Sequence, residues 1–183
     1  MANSVISTGT AFAIGKHWLA TCRHVVEDAI PGGIQIFGNG RELSALETKQ
    51  SMGHDIALIR VAEEVSPLRL GEFPTASPGE SILAVGFPQP DSLSFEENLS
   101  ISRGVINSVR FAKEGRMIFM DAKIAGGNSG GPLLNSLGEV IGINTFILRR
   151  FNKDSSGATY MDFEQPVAIP IWQMRNWIEQ NMD

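Results

Sequence analysis

The sequence predicts an all-β protein whose strands fall into two halves, and three observations carry that reading. Short apolar runs of strand length recur along the chain, separated by Gly, Pro, Asn and Ser. One stretch, GEFPTASPGE at 71–80, places two prolines and two glycines between the runs, as a connection would. Only the C-terminal segment carries a helical repeat.

Before the connection the runs are TGTAFAIG, HWLAT, GIQIFG and DIALIRV; after it they are SILAVGF, SISRGVINSV, RMIFMDAKI, GEVIGINTFIL and QPVAIPI. Many short strands with turn residues between them indicate a sandwich or a barrel. PIWQMRNWIEQNM starts at Pro170, a residue favoured at a first helical position, and repeats Ile171, Met174, Ile178 and Met182 at helical spacing. A helix over 170–182 is predicted. PQPDSLSFEENLS, with Asp91, Glu96 and Glu97, reads as an exposed loop. The chain is one domain on this reading, with halves at 1–70 and 81–169 joined by 71–80, and a groove between the halves is the natural site.

Composition narrows the function. Across 183 residues the net charge is −5 and no Lys/Arg stripe is present, so no nucleic-acid partner is expected. No run of roughly 18 apolar residues exists, so no membrane insertion by a helix is expected. Cys22 is the single cysteine and excludes an intramolecular disulfide. The start MANSVISTGT lacks the features of a secretory leader, which favours a cytoplasmic location, an exported form with its leader removed being the alternative. With no zinc-type Cys/His spacing, P-loop or dinucleotide fingerprint, neither a metal nor a cofactor is expected.

The stretch AGGNSGGPLL surrounds Ser129 with four glycines. It matches G-x-S-x-G, but the hydrolases that use that turn place their histidine after the serine, and here His17, His24 and His54 all precede it. The opposite order, His, Asp, Ser, is the other solution of the same chemistry. His17 reads as an exposed turn residue before Trp18. His24 follows the strand HWLAT and projects from its end, or is an ordinary loop histidine. Asp55 opens an apolar run, where a carboxylate needs a partner such as an imidazole N–H, or it is a turn aspartate preceding a strand. His54 points to the opposite face of that extended segment. Taken as a set, His24 is the general base for Ser129 and Asp55 fixes its tautomer. The glycines then let the N–H groups of Gly127 and Ser129 converge on a tetrahedral oxyanion.

TCRHVV, HDIALIR and GGNSGGPLLNSLGEVIGINT resemble the histidine, aspartate and serine blocks of chymotrypsin-like serine proteases, specifically the bacterial HtrA/Deg-like branch. The separations of 31 and 74 residues between the three are also similar to that branch. The resemblance implies two six-stranded antiparallel β-barrels, a C-terminal α-helix and an active site in the cleft. It makes His24, Asp55 and Ser129 the triad and puts Gly127 with Ser129 at the oxyanion hole. It also places Thr145 beside the aspartate and makes Asn144, Thr145, Phe146 and Ile147 a strand that pairs with substrate. By the same resemblance, Lys123, Ile124 and Ala125, with Thr145, Phe146 and Ile147, are expected to frame a primary pocket. With Ile124 on its floor, small or medium aliphatic side chains are expected; Lys123 turned inward would select an acidic one instead.

Two departures follow. Asn128 is neutral where trypsin-like digestive enzymes carry an aspartate, so activation by N-terminal cleavage is not expected. The chain stops after one helix, without the PDZ domain usual in HtrA proteins. The function expected is hydrolysis of peptide bonds in polypeptides. The alternative is a resting or non-catalytic module of the same fold that needs a partner or oligomerisation; a homo-oligomer and fusion to further domains both stay open. Cys22 reads as a small buried residue, the alternative being a redox-sensitive thiol.

Overall fold

A tight hairpin opens the described chain: β1 (Phe12–Gly15) turns at Lys16-His17 into β2 (Trp18–Thr21), whose four residues are all buried. The structure, a computed structural model, describes residues 7–72, 76–88, 99–112 and 115–182. The acidic loop containing Asp91, Glu96 and Glu97 lies outside the described residues. A four-residue helix, α1 (Arg23–Val26), follows β2 directly. β3 (Ile36–Gly38) and β4 (Arg41–Leu43) form a ribbon across Asn39-Gly40, both at positive φ, the backbone that an Asn-Gly hairpin turn supplies. β5 (Ala45–Gln50) and β6 (Ala57–Val61) complete an antiparallel sheet in the order β1-β2-β6-β5.

Among its described residues the first half therefore holds six strands, four in one sheet and two in the ribbon. With β3 and β4 only three residues long, the ribbon completes the half by packing. Ile34, Ile36 and Leu43 lie with Leu19, Val26, Ala57, Ile59 and Val61 in one apolar cluster.

The second half is a closed six-stranded barrel in the order β10-β11-β12-β9-β8-β7. Its strands are β7 (Ser81–Gly86), β8 (Ser100–Ala112), β9 (Gly115–Met120), β10 (Pro132–Leu134), β11 (Val140–Lys153) and β12 (Thr159–Pro170). Ile82, Ile106, Ile118, Met120, Leu133 and Ile141 fill it. Closure removes free sheet edges, as expected for a barrel. β11 and β12 continue past it as a two-stranded ribbon, exposed from Leu148 to Lys153 on the first strand.

A further core joins the halves. Phe12, Ile14, Trp18, Ile56 and Leu58 from the first pack with Met117, Val140, Ile143, Val167 and Ile169 from the second. Each such side chain contributes about 1.5–3 kcal/mol when fully buried. The chain end closes over this core through Ile171, Met174 and Ile178.

The predicted helix over 170–182 is shorter and later than expected. Pro170 is the last residue of β12, with ψ 131°, and caps a 3-10 turn at Ile171–Gln173; α2 runs only from Arg175 to Asn181. Proline's fixed φ suits an extended residue as well as a first helical one, and pairing with Gly142 holds Pro170 in the sheet. Two bonds fix the end of the chain: Arg175 Nη2 donates to the Gly71 carbonyl at 2.6 Å and Lys49 Nζ to the Asn181 carbonyl at 2.9 Å.

Candidate active site

α1 begins immediately after β2, so His24 sits one residue past its start rather than on a strand end. Asp55 lies in a bend before β6. There the Ser51 hydroxyl accepts the N–H groups of Gly53 (3.3 Å) and His54 (3.2 Å), and the Ile56 N–H returns to the His54 carbonyl at 2.9 Å. Arg23 Nη1 donates to the Ser51 carbonyl at 3.3 Å and ties the helix to the bend. The backbone is bent there and not extended, and His54 and Asp55 both line one cavity. His17 also departs from expectation, half-buried with Nδ1 3.1 Å from the Glu63 carbonyl.

Asp55 holds His24 twice. Oδ2 lies 2.7 Å from His24 Nδ1, and Oδ1 accepts the His24 backbone N–H at 2.9 Å. The Thr145 hydroxyl donates a third bond, 2.8 Å, to Oδ2. Burial raises the Asp55 pKa, but the side-chain and backbone bonds from His24 outweigh it and bring the carboxyl down to about 2. The bond to Asp55 raises the His24 pKa above its ordinary 6.5 against the opposing effect of burial. The carboxylate is thus ionised and fixes the Nδ1–H tautomer, leaving Nε2 for the cleft.

Ser129 is carried by the turn between β9 and β10. The Asn128 N–H bonds the Ala125 carbonyl (3.1 Å) and the Gly131 N–H bonds the Asn128 carbonyl (3.0 Å). Gly127 and Gly130 have φ of 94° and 89°, the left-handed region where a side chain is strained. A Cβ on Gly130 would also strike the Thr10 carbonyl and the Thr21 hydroxyl. Among the described residues the N–H groups of Gly127 and Ser129 are donated to no acceptor. The Ser129 hydroxyl donates to the Thr145 carbonyl at 2.8 Å, and no hydrogen bond joins it to His24.

Thr145 brings these parts together. A register shift between Asn144 and Phe146 bulges β11 at this residue, turning its hydroxyl to Asp55 and its carbonyl to Ser129. Phe146 lines a cavity of about 290 Å³ with His24, Met52, His54 and Met117. Ile147 is half-buried and pairs with Pro166 of β12. Asn144 requires a correction. It is fully buried, its N–H bonds Gly131, its carbonyl accepts from Gly130, and its side chain donates to Val85 and Pro132. No backbone group of Asn144 is left for a substrate; the residue anchors the serine turn.

Ala125 is exposed, Ile124 packs against the second-half core, and Lys123 lines a separate cavity with Asp121 and Glu164. Thr10 carries no recognisable signal in the sequence. A threonine before a first strand reads as a turn residue, yet Thr10 is 3% exposed and bonded to the serine turn. Cys22 Sγ, a His24 ring nitrogen and an Asp55 oxygen lie within 4.8 Å of one another. As metal ligands they are poorly prepared: His24 and Asp55 are bonded to each other, and the buried thiol donates to the Asn144 carbonyl at 3.3 Å. Burial, reinforced by the Asp55 charge, pushes that thiol far up and keeps it protonated.

The family model described as a trypsin-like peptidase domain matches residues 9–143. The chain is 32% identical over 162 residues to a protein of Arabidopsis thaliana named chloroplastic Protease Do-like 2, covering 82% of this chain and 26% of that one. It is 32% identical over 171 residues to a protein of Halomonas elongata named a probable periplasmic DegP-like serine endoprotease, covering 90% of this chain and 34% of the relative. A solved structure titled HtrA-type protease AlgW with decapeptide superposes with a TM-score of 0.71 at 27% identity, over 94% of this chain and 50% of that chain. The chain thus spans between about a quarter and a third of the length of these curated relatives. Their names place them in a chloroplast and a periplasm, which gives no support to the cytoplasmic expectation.

Proposed function

The chain belongs to the trypsin-like peptidase family, homologous to the HtrA/DegP serine proteases, and from that membership we propose that it is a serine endopeptidase acting on polypeptides. One observation carries the assignment of roles. Thr145 bonds Asp55 through its hydroxyl and Ser129 through its carbonyl, so nucleophile, base and orienting carboxylate meet around a single residue.

In the reaction proposed, the Ser129 hydroxyl turns about χ1 from the Thr145 carbonyl to His24 Nε2. Nε2 takes the Oγ proton as Oγ bonds the scissile carbonyl carbon. The carbonyl π electrons move to oxygen, and that oxyanion meets the N–H groups of Gly127 and Ser129. Asp55 stabilises the imidazolium through Nδ1–H. When the oxyanion collapses, the C–N bond breaks and His24 returns its proton to the departing amine nitrogen. Water then attacks the acyl-enzyme by the same steps, releasing the carboxylic acid and Ser129.

We also read residues 1–70 and 81–169 as the two walls of the cleft, with the backbone of Thr145, Phe146 and Ile147 pairing with an extended substrate. Phe146 and Met117, beside His24 in the cavity, support a preference for apolar residues at the cleavage site, which we read as small or medium aliphatic ones. A peptide library cut mainly after Arg or Lys would overturn that preference. The relatives' names support an exported or organellar location, and the family's reaction supports polypeptide substrates.

The Ser129–Thr145 bond favours a second, compatible reading: this geometry is a resting state that a substrate strand or self-association completes. Fluorophosphonate labelling followed by intact mass tests both. Stoichiometric labelling of the wild type, absent in Ser129→Ala and His24→Ala, supports an assembled site. A folded wild type that labels only at high concentration or with added peptide supports the resting state. A wild type that labels under neither condition defeats the peptidase reading.

A further inference from the structure

We propose that Thr10 is a positioning residue that holds the serine turn in its oxyanion-binding form, acting from outside the turn and from the other half of the molecule. This role rests on the peptidase reading above. All four hydrogen-bonding groups of Thr10 are engaged. Its hydroxyl donates to the Gly127 carbonyl at 2.7 Å and accepts the Phe87 N–H at 2.9 Å. Its N–H donates to the Ser129 carbonyl at 2.8 Å, and its own carbonyl accepts the Thr21 hydroxyl at 2.7 Å.

The two carbonyls that Thr10 captures flank the Ser129 N–H along the chain, one on Gly127 and one on Ser129 itself. Gly127 has a glycine-type φ of 94° and no side chain to limit its torsions. Nothing within its own residue keeps its carbonyl turned inward. With that carbonyl pinned, the peptide plane between Gly127 and Asn128 is fixed, while the Gly131 N–H holds the Asn128 carbonyl and with it the plane that carries the Ser129 N–H; the two planes on either side of Asn128 are thus both tied, the first of them by Thr10. The Asn128 side chain restrains the turn by packing over Gly86 and not through its oxygen: it is buried, and its Oδ1 has no hydrogen-bond partner among the described residues.

Gly9 completes the seat. A Cβ there would stand 2.6 Å from Val25 Cγ1 and 3.0 Å from the Ser129 carbonyl, so the segment leading to Thr10 lies flat between α1 and the turn. The clamp therefore joins three places in the chain: the segment before β1, the end of β2 through Thr21, and the end of β7 through Phe87.

The experiment compares Thr10→Val, which keeps shape and loses the hydroxyl, with Thr10→Ser, which keeps it. Val61→Ala, in the first-half core away from the site, serves as a destabilised control. Turnover of fluorescently labelled casein gives kcat and KM, and amide exchange of 126–131 reports the turn directly. In Thr10→Val, kcat is expected to fall ~100-fold, the loss typical of a missing oxyanion donor, with KM within ~3-fold. Exchange of the Asn128 and Gly131 amides should accelerate, and Thr10→Ser should restore both readouts. Near-normal kcat in Thr10→Val, equal losses in both Thr10 variants, or the same kcat loss in Val61→Ala would overturn the clamp. If the wild type turns over no casein and takes no fluorophosphonate, the peptidase reading fails by itself. Exchange then still tests the clamp, and unchanged protection in Thr10→Val overturns it.

Discussion

Thr145 reaches across 90 residues of sequence to donate its hydroxyl to Asp55 Oδ2 at 2.8 Å, on the same oxygen that faces His24 Nδ1. One side chain of the second half thus completes the hydrogen bonding of a carboxylate in the first. Thr145 is 3% exposed, so its hydroxyl approaches Asp55 from the buried side.

Thr145→Val removes that donor at nearly constant volume. A hydrogen bond to a charged group contributes ~1.5–3 kcal/mol, so kcat/KM on labelled casein should drop ~10-fold or more. Thr145→Ser should retain most of the activity. Equal activity in the valine and serine variants would show that the hydroxyl does not support the carboxylate.

The pH profile follows from the His24–Asp55 pair. His24 must be neutral to accept the Ser129 proton, and its pKa is raised above 6.5, so kcat/KM should climb with a midpoint on the alkaline side of 6.5. Asp55→Asn should lower that midpoint. Stability runs the other way for the two groups. The raised His24 pKa stabilises the fold below 6.5, and that contribution disappears as pH rises through the shifted value. The Asp55 contribution is present above 3.8 and is lost as pH falls through about 2. A pH titration of kcat/KM beside thermal melts separates the two effects.

The glycines of the serine turn are not equivalent. A Cβ on Gly126 meets nothing within 4 Å, whereas one on Gly131 meets the Val85 backbone carbonyl. Gly126→Ala should change stability by less than ~0.5 kcal/mol. Gly130→Ala and Gly131→Ala should each cost more than ~2 kcal/mol, from left-handed strain in the first and collision with backbone in both. Thermal melts of the three variants decide the matter, and equal melting temperatures would contradict the packing described.

Cys22 should be inert in the native state. Its thiol is fully buried, and burial drives its pKa well above the usual thiol range. Iodoacetamide should modify the unfolded chain and leave the native one untouched. Rapid native alkylation, or peroxide inhibition that Cys22→Ser abolishes, would restore the redox reading.

Much of this architecture was legible from pattern, and the exceptions have physical causes. Strands with a buried face, such as Trp18–Thr21 and Ala57–Val61, stood out as apolar runs. β5, with the sequence ALETKQ, has no fully buried residue and so leaves no apolar signature. The same is true of the outer part of β12 from Thr159 to Glu164, solvated beyond the barrel. At the site, motif blocks pointed to the residues that converge on Thr145. Asn144 was misplaced because adjacent strand residues face opposite sides, and only the second of this pair is turned toward the cleft. Thr10 carries no motif, since its meaning depends on a turn more than a hundred positions away.

The core shared by Phe12, Ile14, Ile143 and Val167 makes each half an incomplete object on its own. Cut within 76–80, the chain would yield two fragments, each presenting to water an apolar face that only the other covers. Such fragments are suited to complementation. Fused to two proteins that associate, they would regain the shared interior and the His24–Asp55–Thr145 contacts in the same step, turning proximity into a proteolytic signal.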